Sequence, residues 1–216
     1  MGAEFNDVSN AFAEARKTGD FDTAEQVLLD WLSEPRSKAD RFLAFLSACQ
    51  KAQSCGMESR ALHYANMILE DFPTDITARH IKAISYFRLG KLPKAESMIR
   101  EALEIAERED PTNIFVMTTL LGKILSAQNR PREAEGVLIP IESDSLPSDI
   151  FVISRHKALS ETYMLLGDPQ KARQHLLTAL RLADDVSVST LKFVLQGEWL
   201  DALSKMAPGE TLHDTT

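Results

Sequence analysis

The apolar and polar positions of this chain repeat five times. The segments GDFDTAEQVLLDWL, GMESRALHYANMIL, GKLPKAESMIREAL, NRPREAEGVLIPI and GDPQKARQHLLTAL open on Gly19, Gly56, Gly90, Asn129 and Gly167, at intervals of 37, 34, 39 and 38 residues. Five residues after each opener stands an alanine: Ala24, Ala61, Ala95, Ala134 and Ala172. Nine after it come Leu28, Ala65, Ile99, Leu138 and Leu176; twelve after it come Trp31, Ile68, Ala102, Ile141 and Ala179. Apolar steps of four and three along a polar run are the helical period. Glycine, lacking a Cβ, and asparagine both suit the left-handed conformation that stops a helix. Asp20, Pro93, Pro131 and Pro169 follow the openers closely, as residues that start the next one.

The stretch before each opener is equally regular. Seven residues earlier stand Phe12, Cys49, Ala83, Gly122 and Ser160, and four earlier Ala15, Ala52, Tyr86, Leu125 and Tyr163. Small residues at fixed places let two helices approach, and a large one fills the gap between turns. Pro35, Pro73, Pro111 and Pro147 close the pairs. The pattern predicts five helical hairpins over about 5–41, 42–75, 76–114, 115–152 and 153–186. Behind Ser187, the residues Val188, Leu191, Leu195, Trp199 and Leu203 share one helical stripe, which predicts a capping helix over 187–206. The polar end, 207–216, is expected to be disordered.

This pattern resembles the tetratricopeptide repeat family. AISYFRLGKLPKAESMIREAL and LSETYMLLGDPQKARQHLLTAL carry the likeness most fully, with a small residue and an aromatic, a glycine turn, then alanine. The first repeat departs in having Ala15 at the aromatic place, and the fourth in having Gly122 and Asn129. Three intervals exceed the family period of about 34 residues. The resemblance implies an all-α, right-handed solenoid of five hairpins plus a cap. It also implies a scaffold that binds proteins, with the first helices lining a concave groove.

Composition narrows the partners. The formal net charge is −8 and the pI about 5.2, whereas nucleic-acid binding calls for a basic surface, so no nucleic acid is expected. No run approaches the roughly 18–20 apolar residues of a membrane span, so no membrane is expected either. The opening MGAEFNDVSN has no secretory character and points to the cytoplasm, although MGAEF reads equally as a cloning remnant. Cys49 and Cys55 on one helix would stand roughly 9 Å apart, too far for a disulfide.

Candidate chemistry is sparse. His63, His80, His156, His175 and His213 make no zinc-ligand spacing. Gly90-Lys91 and Gly122-Lys123 lack both the hydroxyl residue and the earlier glycine of a phosphate loop. Neither an enzyme activity nor a cofactor or metal is expected.

Counting back from the openers places the groove on Gln50, Gln53, His80, Ile84, Phe87, Arg88, Thr119, Lys123, Lys157, Glu161 and Met164, with Leu43, Leu46, Val116 and Leu165 beside them. Its charges are Arg16, Lys17, Arg88, Lys123 and Lys157 against Glu161 alone, a basic lining in an acidic protein. The places of the family's clamp for chaperone C-termini hold Ser9, Ala13, Ser47, Thr77 and Ile81, which cannot form it. The expected partner is a protein or peptide segment, acidic with apolar anchors. The alternatives are a chaperone or assembly subunit for a secretion, pilus or other complex, and a regulatory domain of a larger enzyme or sensor.

Overall fold

The computed structural model describes residues 5–109, 113–139 and 149–184. The expected capping helix and tail, together with Pro111, Ile141, Pro147 and His213, lie outside the described residues, as does the Arg16 side chain. Within the described residues the chain is all helical: α1 (Phe5–Thr18), α2 (Phe21–Leu32), α3 (Lys38–Ser54), α4 (Glu58–Asp71), α5 (Ile76–Arg88), α6 (Leu92–Glu109), α7 (Ile114–Ala127), α8 (Pro131–Leu138), α9 (Asp149–Leu165) and α10 (Pro169–Asp184). They fall into two compact units, Met1–Met117 and Thr118–Thr216, with the division inside α7.

Each helix stop has the backbone that the opener residues suggest. Gly19, Gly56, Gly90, Asn129 and Gly167 all have positive φ, from 59° to 80°. At Gly90 the turn is closed by Gly90 N–H donating to Phe87 C=O (2.9 Å) and Lys91 N–H to Tyr86 C=O (2.8 Å), which occupies carbonyls the helix leaves open. The next helices start on caps. Asp20 accepts from Thr23 N–H (3.0 Å) and Thr23 Oγ1 (2.6 Å), which holds its carboxyl below the usual range. Asp75 accepts from Ala78 N–H at 2.6 Å, and Pro131 and Pro169 open α8 and α10 where a missing N–H costs nothing.

In the first unit α1 packs on α2, α3 on α4 and α5 on α6, while α3 also touches α1 and α5. The alanines five after the openers are buried there, as are Leu28, Trp31, Ala65, Ile68, Ile99 and Ala102. The first repeat reverses the usual sizes. Phe12 fills the small place and meets the rings of Phe21 (6.1 Å) and Tyr64 (5.9 Å), while Ala15 takes the aromatic place. Cys49 is buried and free, and burial pushes its thiol up to about 12, so it packs as a small apolar residue. In the second unit α9 packs on α8 and α10. A Cβ on Gly122 of α7 would stand 2.6 Å from Leu138 Cγ of α8, so only glycine admits this approach.

Candidate functional site

The expected groove residues lie on faces set by helical spacing. On α3, Leu43, Leu46, Gln50 and Gln53 fall on one stripe; Leu43 and Gln50 are exposed, Leu46 and Gln53 half-buried. On α5, His80, Ile84 and Phe87 are half-buried and Arg88 is exposed. Burial lowers the His80 imidazole to about 4, so it is neutral at pH 7.

Two of these residues tie the first unit together. The Gln53 amide donates to Ile81 C=O and to Ser85 Oγ, each at 3.1 Å, which joins α3 to α5. Arg88 donates to Gln53 C=O (2.9 Å) at the end of α3 and pairs with Glu58 Oε1 (3.0 Å) at the start of α4. Glu58 is only 6% exposed, and its Oε2 has no hydrogen-bond partner among the described residues. The Arg88 charge is thus matched by a carboxylate that the count along first helices leaves out. Lys17 is matched likewise, by Glu14 at 3.0 Å. Glu58 had a legible signal: two residues after the other openers stand Phe21, Leu92, Pro131 and Pro169, so an acid there is out of pattern.

In the second unit, Lys157, Glu161, Met164 and Leu165 fall on one face of α9, at helical steps of four, three and one. Met164 is 41% and Leu165 50% exposed. Lys123 reaches this face from α7 and donates to Ser154 Oγ at 2.9 Å. Burial lowers the Lys123 ammonium; Glu161 opposes that shift and Lys157 adds to it, so the three charges form one cluster. Thr119, counted to the same face, is buried at 5% and offers a partner no surface. Ser126 Oγ lies 2.9 Å from Thr162 Oγ1 across α7 and α9, so this seam is polar.

Two further groups in this unit escaped the spacing analysis. Arg155 is buried and donates to the Leu138 (3.0 Å) and Ile139 (3.2 Å) carbonyls at the end of α8. His156 and His175, which have no ligand spacing in the sequence, meet each other between α9 and α10. His175 stands eight after its opener, where the other repeats have Val27, Tyr64, Met98 and Val137, so the register marked it. Among the described residues, no group of three or more His, Cys, Asp or Glu is placed to hold a metal ion. No described helix is long and apolar enough to cross a membrane.

Comparison with known proteins fits this geometry. Residues 76–109, which make up α5 and α6, match the tetratricopeptide repeat model. The fold is that of a tetratricopeptide repeat protein. Nearly identical TPR-like repeats from a candidate kinesin light chain of Podosopora anserina superpose with a TM-score of 0.64 at 17% identity, over 82% of this chain and 93% of that one. A thermophilic TPR protein of Thermus thermophilus gives 0.63 at 16% identity, over 93% of this chain and all (100%) of the other. Among curated proteins, the chain is similar to the MAU2 chromatid cohesion factor homolog of Nematostella vectensis, 24% identical over 152 residues. That match takes in 67% of this chain but only 25% of the relative's length. What a chain with this fold binds is decided by its surface residues rather than by the fold.

Proposed function

We propose that the protein is a non-catalytic scaffold that holds a segment of a partner protein on the exposed faces of its first helices. The observation that carries this reading is the α9 face, where Met164 and Leu165 stay exposed beside Lys157, Glu161 and Lys123. Two adjacent apolar side chains next to a partly offset positive cluster suit a segment that is acidic with interspersed apolar residues. Charge contacts at such a rim are worth about 0.2–1 kcal/mol each, so the apolar anchors must supply most of the affinity. A methionine thioether adapts to irregular partners, which makes Met164 the better anchor of the two.

The test is binding kinetics, at two salt concentrations, against the partner that a pull-down with mass spectrometry returns. Lys157→Glu should chiefly slow association and flatten its salt dependence, while Met164→Ala should chiefly speed dissociation. If neither changes binding and substitutions on exposed second-helix residues such as Gln174 of α10 abolish it, the partner is held by the second helices. The protein would then be an assembly subunit. A second reading, a scaffold region working inside a larger factor, draws on the match to one quarter of the cohesion factor homolog. An immunoblot of the native gene product for a much larger species tests it.

A further inference from the structure

His156 of α9 and His175 of α10 meet nitrogen to nitrogen. Their Nδ1 atoms are 2.9 Å apart, the rings are tilted by 30°, and the ring centroids are 5.2 Å apart. That centroid distance is the nitrogen separation plus one ring radius at each end, so the rings meet end-on. The two lone-pair directions therefore run along one line instead of converging on a third point. A metal ion held by both rings would need convergence; a shared proton needs the line. One ring donates its Nδ1–H and the other accepts, so the pair must hold opposite tautomers.

The setting opposes any added charge. His175 lies parallel to the Tyr163 ring, at 1° and 5.4 Å, and Lys171 Nζ stands 5.0 Å from the centroid of the same Tyr163 ring. Arg155 faces the pair from α9 and Lys171 from α10; Asp168 in the intervening turn is 3.6 Å from Lys171. Burial, and with it the hydrogen bond that the Tyr163 hydroxyl donates to Glu135 of α8, raises the phenol to about 12. Burial first, then His175 and Arg155, lowers His156 to about 4; burial, Arg155 and Lys171 lower His175.

We propose that the His156–His175 pair is an acid-sensitive latch, which holds α9 to α10 while its rings share one Nδ1 proton and opens when both Nδ1 atoms are protonated. The first added proton enters Nε2 of the donating ring and leaves the contact in place. The second occupies the accepting Nδ1, so that two N–H groups and two positive charges face each other beside Arg155. The rings must then separate, which takes His175 off Tyr163 and frees α10 from α9. Both folded values lie below the ordinary 6.5, so the stabilisation is complete above that pH and is lost as pH falls toward about 4. Because α9 also carries Met164 and Leu165, opening the latch would reshape the proposed partner face; that consequence rests on the scaffold reading, whereas the latch does not.

The latch is tested on the full chain by nitrogen NMR of the histidine rings and by amide hydrogen exchange. At about pH 7.5 one of the two rings should be the Nδ1–H tautomer and the other the Nε2–H tautomer, with exposed His63 as internal reference. Two Nε2–H tautomers overturn the proposal, and this measurement needs no variant. On acidification to about pH 4.5, amides of α9 and α10 should lose about tenfold or more in protection, after correction for intrinsic rates. His175→Phe, which keeps a ring against Tyr163, should remove most of that loss; an equal loss in the variant overturns the proposal. Burial lowers His80 of α5 to about 4 as well, so the comparison is between variants within α9 and α10 rather than between the two units.

Discussion

Gly122 and Glu58 show how much of this protein is decided by single residues that break the repeat pattern. A Cβ on Gly122 would stand 2.6–2.9 Å from three atoms of Leu138, a side chain itself fully buried. Alanine gains about 1 kcal/mol of helix propensity over glycine, but overpacking costs about 1–3 kcal/mol. Gly122→Ala should therefore destabilise by about 1 kcal/mol net in chemical denaturation. In a Leu138→Ala background the same change should stabilise, and that reversal of sign is the check. Glu58 poses the electrostatic counterpart. Arg88→Ala leaves a buried carboxylate without its cation and should cost about 1–3 kcal/mol. It should stay below the range for fully buried pairs because Arg88 is 45% exposed. Pairing it with Glu58→Gln in a double-mutant cycle should recover part of the loss; simple additivity of the two changes would show that the pair is not coupled.

At the scale of elements, helix stops and helix contacts are separable. A Cβ on Gly90 would meet nothing within 4 Å, so its φ of 69° is the whole reason for glycine there. Gly90→Ala should cost about 1–2 kcal/mol, and Gly90→Asn less, because Asn129 already serves the same turn. Equal melting points for the two variants would show that the turn is not what glycine is kept for. Ala95, fully buried on α6, tests the packing instead. Ala95→Leu should destabilise by about 1–3 kcal/mol, and a variant that melts like the parent would mean that the contact yields. The openers and alanines made both features legible in advance, since each depends on one residue's own conformation or size. The polar seam of α7 and α9 was less so, because Ser126 and Thr162 are unremarkable until two helices bring them to 2.9 Å.

Over the whole molecule, circular dichroism should show a strongly helical spectrum with little strand; a strand-rich one would contradict every element described here. Hairpin order and the tetratricopeptide fold were legible because they rest on local spacing: an opener, an alanine five residues on, and apolar residues in steps of four and three. Charge was legible only as a sum. The count of groove cations left out Glu14 and Glu58, which lie on faces or helices outside the counted places, yet they sit 3.0 Å from Lys17 and Arg88. Sequence by itself thus determined where helices begin, stop and touch, because those depend on backbone preference and side-chain volume at fixed intervals. Tertiary structure alone decided which charges are matched and which histidines meet, since His156 and His175 stand 19 residues apart and interact only because two helices fold back to place one lone pair opposite one N–H.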